Sequence, residues 1–154
     1  MPKHSLPVPH HRQQGVADCL ATCARMVLEY LGVSITYSRI LQLLGTTPYG
    51  TPGRHRLALQ SLGVDVSYGS ASLEEVRAHI RQGRPCIALV RTSEIPYWTF
   101  STDHAVVVIG YDETHLLVND PHFEQAPQRI PADDFVLAWL EFDYRCSVIQ
   151  RRGA

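Results

Sequence analysis

The sequence predicts an α+β fold, and three observations carry that expectation. Helical apolar spacing fills the first half of the chain and strand-like apolar runs fill the second. No repeat, low-complexity tract or linker separates the two. With 154 residues, 45% of them hydrophobic and 19% charged, the chain is long enough for one domain of ordinary size and too apolar for a disordered one. An extended arm is expected over residues 1–12, which carry Pro2, Pro7 and Pro9 and no periodicity, and a single domain over 13–150.

The elements follow in order. From Ala17, the residues Leu20, Ala24, Val27 and Leu31 make one apolar helical stripe, with Cys19, Cys23, Met26 and Tyr30 beside it and Gly32 at its end. Thr36 is a candidate N-cap for a short helix from Tyr37 to Leu44, stopped by Gly45. The run Gly45 to Gly53 is the most loop-like of the chain, and a third helix is expected from Arg54 to Ser61. Val64 to Tyr68 alternates like a strand, and Ser72-Leu73-Glu74-Glu75 is a capping box that opens a fourth helix. Strands are then expected over Pro85 to Val90, Asp103 to Tyr111 and His115 to Asn119, the last two joined by a three-residue turn, Asp112 to Thr114. Pro131-Ala132-Asp133-Asp134 starts a helix leading to Leu140, and Tyr144 to Gln150 is the last strand.

Composition removes several functional classes. The 14 basic and 15 acidic side chains leave a net charge of −1, which gives no reason to expect nucleic acid or an anionic membrane as partner. The longest apolar stretch, Ala105 to Tyr111, is far shorter than the roughly 20 residues of a bilayer span. The N-terminus has no apolar signal region, so a cytoplasmic setting with reduced cysteines is expected. Cys19 and Cys23 stand one helical turn apart, but no second Cys/His cluster completes a metal site, and neither metal nor cofactor is expected. His4, His10, His11 and His55 read as surface residues.

The segment Gln13-Gln14-Gly15-Val16-Ala17-Asp18-Cys19 places a cysteine in the first turn of a buried helix, with Asp18 as a candidate cap. Unpaired N–H groups and positive potential at a helix start favour a thiolate. The alternative is a small core cysteine, which is the reading for Cys23. A nucleophilic cysteine needs a base and a group that orients the base. The three-residue turn would set Tyr111 opposite His115 and Val106 opposite Asp120, leaving His104 and Asp120 as diagonal neighbours on one face. A one-residue slip separates them, so the pairing depends on the turn or on a bulge. The oxyanion of an acyl intermediate needs donors, for which the Cys19 N–H and the amide of Gln13 or Gln14 are candidates. The loop Glu94 to Thr102, with three aromatics, either tucks onto the core through Trp98 or walls a cleft.

These blocks resemble the bacteriocin-processing, double-glycine-leader cysteine peptidases of the papain-like superfamily. The resemblance rests on Gln13 to Cys19, with glutamine six residues before cysteine, on the apolar helix to Tyr30-Leu31-Gly32, and on His104 to Tyr111 followed by Val118-Asn119-Asp120-Pro121. It implies a papain-like fold with N-terminal helices packed on a C-terminal antiparallel sheet. It also implies Cys19 as nucleophile, His104 as general base and acid, Asp120 as its orienter and Gln13 as oxyanion donor. The expected function is hydrolysis of a peptide or amide bond in a peptide or protein substrate. Acyl transfer and a non-catalytic peptide-binding module of the same fold are the alternatives. The family's frequent Gly after the cysteine is Leu20 here, which bears on leader-peptide specificity, and a stand-alone domain without the family's transporter portion is expected.

Overall fold

The computed structural model describes residues 4–47 and 53–153. Pro48 to Pro52 of the loop-like run, the His55 side chain and the first three residues of the arm lie outside that description. The strands are β1 (His4–Ser5), β2 (Val64–Ser70), β3 (Cys86–Arg91), β4 (Asp103–Tyr111), β5 (His115–Asn119), β6 (Gln128–Pro131) and β7 (Arg145–Arg151). The α-helices are α1 (Cys19–Tyr30), α2 (Tyr37–Leu44), α3 (Leu73–Arg81) and α4 (Ala132–Leu140). The strands form one sheet, antiparallel at every pairing among the described residues, in the order β2-β7-β3-β4-β5-β6, with β1 added to β4.

Helices cover both faces of this sheet. On one side α1 and α2 pack against Ile87, Ala105, Val107, Ile109, Leu117 and Ile149. On the other, Val76 and Ile80 of α3 and Phe135, Ala138 and Trp139 of α4 pack against Ala88, Val106, Val108, Val118 and Val148. The unbroken apolar run of β4 has this cause: a strand covered on both faces needs no polar alternation. Helix α1 is central for the same reason, with Leu20, Cys23, Ala24, Met26, Val27 and Leu28 all buried. Complete burial of a leucine or methionine contributes about 1.5–3 kcal/mol.

Several expectations change here. The helix read at Arg54 to Ser61 is a 3-10 segment, Gly53–Leu62. Helix α1 begins at Cys19, two residues later than the apolar stripe suggested. The capping box of α3 forms as read: Glu75 N donates to Ser72 Oγ (3.0 Å), and Ser72 N donates to Glu75 Oε1 (3.2 Å). Strand β6 had no readable signal, because Ile130 is its one core residue.

Residues 4–8, ahead of α1, lie along the sheet. His4 pairs with Tyr111 and Ser5 with Gly110, and Leu6 N donates to Ile109 O (2.8 Å). Val8 is buried, and its carbonyl accepts from Asn119 Nδ2 (3.1 Å). His4, His10 and His11 are half-buried rather than surface residues; His10 Nε2 donates to Phe123 O (2.7 Å) and His11 Nε2 to Glu29 Oε2 (2.5 Å). Gly110 makes the crossing possible, since a Cβ there would lie 2.5 Å from His4 O and 3.0 Å from Ser5 Cα. Gly110→Ala is therefore expected to push the strap off β4 and cost about 1–3 kcal/mol, read as a lowered midpoint in chemical denaturation.

The hairpin of β4 and β5 reaches the expected face by a different route. Tyr111 pairs with Leu116, not His115, so the loop is one residue longer than expected. Asp112 Oδ1 fixes it by accepting from Thr114 N (2.9 Å) and His115 N (2.7 Å). That loop alone would put His104 and Asp120 on opposite faces. A bulge between Val108 and Gly110 adds one residue on β4, Val107 then pairs with Asn119, and the two return to one face.

Among the described residues, no helix is long and apolar enough to cross a membrane.

Candidate active site

Three element ends meet at one edge of the sheet: the start of α1, the start of β4 and the end of β5. Because β4 and β5 are antiparallel, His104 and Asp120 come together there. Helix α1 packs on β4 and brings Cys19 to the same place. His104 Nε2 donates to Asp120 Oδ1 at 2.6 Å, and the pair is buried, with side chains 4% and 0% exposed. The Cys19 sulfur lies near enough to the His104 ring to help hold its proton. Since Nε2 serves Asp120, Nδ1 is the nitrogen left for sulfur.

Asp120 is held by four donors. Oδ1 also accepts from His122 N (3.0 Å), while Oδ2 accepts from Tyr97 Oη (2.7 Å) and Trp98 Nε1 (2.9 Å). A buried carboxylate satisfied on both oxygens by four N–H or O–H groups stays ionised and cannot rotate. Sequence reasoning missed Tyr97 and Trp98 in this role. Buried Thr92 staples their loop: its Oγ1 donates to Phe100 O (2.7 Å) and accepts from Thr102 N (2.8 Å). The aromatic cluster before His104 was the available signal, but nothing local shows that both ring donors turn inward.

Burial works against a charged His104, yet the hydrogen bond to Asp120, the neighbouring Cys19 sulfur and the charge of both partners outweigh it, and its pKa is pushed up to about 9. Burial likewise opposes the Asp120 carboxylate, but the His104 hydrogen bond and charge hold it below the ordinary 3.8. His104, raised above the unfolded 6.5, contributes stability that is complete below pH 6.5 and lost as pH rises through about 9. Asp120, lowered, contributes stability that is present above pH 3.8 and lost as pH falls through its folded value. Melting temperature is thus expected to be highest between about pH 4 and 6.5 and to decline toward pH 9. His104→Gln should flatten the alkaline limb, and a limb unchanged in that variant would contradict this assignment.

The loop before α1 differs from the expected cap. Asp18 makes no side-chain hydrogen bond to the helix; its Oδ2 accepts instead from Gly15 N (3.1 Å). The N–H groups of the first turn are left without a side-chain cap. Gln13 is tied to the end of β5, its N–H donating to Pro121 O (2.8 Å), and its side-chain Nε2 donates to Gly15 O (2.8 Å). One amide hydrogen remains for another acceptor, while Gln13 Oε1 is buried with no hydrogen-bond partner among the described residues. Gln14 is exposed. Leu20 is 3% exposed and packs in the core, so its side chain is turned away from solvent at the helix start.

A cavity of about 460 Å³ opens beside these residues, between the Arg12 to Val16 segment and a wall of Trp98, Phe100, His104 and His122. Among the described residues, no cluster of three or more His, Cys, Asp or Glu side chains is arranged to hold a metal ion.

The family model described as "Peptidase_C39 like family" matches residues 5–147. Three solved structures share the fold at low identity. A protein from Bacillus anthracis described as a C39-like peptidase is 18% identical, with a TM-score of 0.82 over 99% of this chain and 100% of that one. A double-glycine-motif protease from an AMS/PCAT transporter, solved with its leader peptide, is 19% identical, with a TM-score of 0.75 over 97% and 95% of the two chains. The peptidase domain of Streptococcus ComA, a bifunctional ABC transporter of a quorum-sensing pathway, is 18% identical, with a TM-score of 0.77 over 94% and 99%. No curated protein sequence matches the chain.

Proposed function

The chain belongs to the Peptidase_C39 like family, and we propose that it is a cysteine peptidase that cuts a peptide bond through Cys19, His104 and Asp120. The observation that carries this reading is the buried His104–Asp120 pair, hydrogen-bonded at 2.6 Å, beside a cysteine at a helix N-terminus. Cys19 gives its thiol proton to His104, its sulfur attacks the carbonyl carbon, and the C=O π electrons move onto the oxygen, which takes the negative charge. The Cys19 N–H and the remaining amide hydrogen of Gln13 are the donors for that oxyanion. The tetrahedral species collapses as His104 passes its proton to the leaving nitrogen, breaking the C–N bond and leaving a thioester on Cys19. Water, losing a proton to His104, then attacks the thioester and frees the acid and the thiol. Asp120 stays ionised throughout and keeps the imidazole oriented.

The leader peptide bound by the double-glycine-motif protease supports a peptide as substrate class. Among the described residues no disulfide joins Cys19, Cys23, Cys86 or Cys146, and we assign a reducing cytoplasmic setting; the domain unit we assign is 13–150, with residues 1–12 as an N-terminal arm.

A peptidyl chloromethyl ketone tests the reading. One probe per chain, mapped to Cys19 by mass spectrometry and lost in His104→Ala, is expected. Labelling spread over the cysteines, or none at all, would reject it. Gln13→Ala is expected to slow acylation by roughly 100- to 1,000-fold with little change in melting temperature. A large fall in melting temperature would show the glutamine to be structural instead.

A further inference from the structure

The cavity beside the candidate active site has a wall that includes His104 and, among the described residues, does not include Cys19. In peptide-bond cleavage the acyl half is joined to the cysteine, and the departing amine takes its proton from the imidazole. Gln13, the candidate oxyanion donor, also lines the pocket, which sets it beside the scissile bond, and contact with the imidazole but not the sulfur puts it on the departing side. At about 460 Å³ it falls within the roughly 300–1,000 Å³ of ordinary ligand pockets.

Its lining is mixed: Val16, Trp98 and Phe100 are apolar, and the other side chains, Asp103 among them, are polar or charged. Phe100 is 53% exposed and meets Trp98 edge to face, with ring centroids 5.1 Å apart. His122 lies over Trp98 at 4.4 Å, and burial together with the positive charges of His104 and Arg12 favours its neutral form. Val16, 97% exposed, stands on the opposite lip. The nearby carboxylate of Asp103 is engaged by Arg91 (2.5 Å). His104 is likewise paired with the ionised Asp120, so Arg12 sets the electrostatic tone, which disfavours a cationic occupant.

We infer that this pocket is the subsite for the residue following the scissile bond and that it takes a neutral aromatic or large aliphatic side chain. The assignment to the departing half rests on the peptidase reading, whereas the preference for an apolar side chain rests on the wall of Phe100, Trp98 and neutral His122.

Nuclear magnetic resonance of the ¹⁵N-labelled chain tests the inference without turnover. The sequence holds two tryptophans, and the indole of Trp139 donates to Arg145 O inside the core, which makes its signal an internal control. Phe-Gly amide is expected to move the Trp98 indole signal saturably, about tenfold more tightly than Gly-Gly amide, with Lys-Gly amide weaker still. Phe100→Ala should weaken the Phe-Gly complex several-fold. Equal responses to Phe-Gly and Gly-Gly amides, tighter binding of Lys-Gly or Glu-Gly amide, or an unchanged preference in Phe100→Ala would each overturn the inference. No bond breaks in this measurement, so its failure leaves the peptidase reading standing. That reading falls on a different result, the failure of Cys19 to take the chloromethyl ketone.

Discussion

Cys19→Ala is expected to abolish turnover, because no other group at the site can carry the acyl half. His104→Ala should cost nearly as much, on the order of 10⁶-fold in kcat, since nucleophile and base act as one unit and their losses do not add. The double variant should then be no slower than either single variant, which single-turnover kinetics can read. Both side chains lie at element ends, and neither sits in the middle of the apolar core. Melting temperatures within a few degrees of the parent are therefore expected for Cys19→Ala, and they separate lost chemistry from lost fold.

Asp120 is expected to give a combined loss. All four of its partners donate, from His104 Nε2, His122 N, Tyr97 Oη and Trp98 Nε1. Asp120→Ala would leave these donors buried and unpaired, at about 3–5 kcal/mol. Asp120→Asn is not a mild change either, since its NH₂ group must face a donor whichever way the amide turns. The same substitution fixes the imidazole in the wrong tautomer, and a loss of about 10⁴-fold in kcat is expected. Thermal denaturation and kcat measured on both variants check the two parts separately. Full activity in Asp120→Asn would show that the carboxylate does not orient His104.

The parts of the fold legible in the sequence were those where a local pattern and its tertiary partner agree. The capping box at Ser72 and Glu75, the stripe of α1 and the apolar run of β4 are of this kind. Strand β6 was not legible, because four residues with one core side chain carry no period. The 3-10 form of Gly53–Leu62 was missed because its apolar spacing also fits an α-helix. The hairpin is the most instructive case: the expected turn was one residue short, and a bulge at Ile109 restored the face on which His104 meets Asp120. Bulges leave little trace in sequence, although Gly110 next to one is a trace in hindsight. At the site, a cysteine after a flexible loop and a histidine at a strand start could be read as chemistry-bearing. Tyr97 and Trp98 could not be assigned to Asp120, since their role depends on a loop closed by Thr92 from the far side of a ten-residue excursion.

The proposed chemistry requires Cys19 and His104 to act as a coupled pair. The most direct measurement is the rate at which iodoacetamide alkylates each cysteine at neutral pH, in the parent chain and in His104→Ala, followed by mass spectrometry. Cys19 is expected to react first, and its rate is expected to fall about tenfold or more in His104→Ala while the fold is retained. Cys23, Cys86 and Cys146, all buried, should remain slow in both. A Cys19 that alkylates at the same rate with and without His104 would be an ordinary surface thiol, and the proposed chemistry would fail.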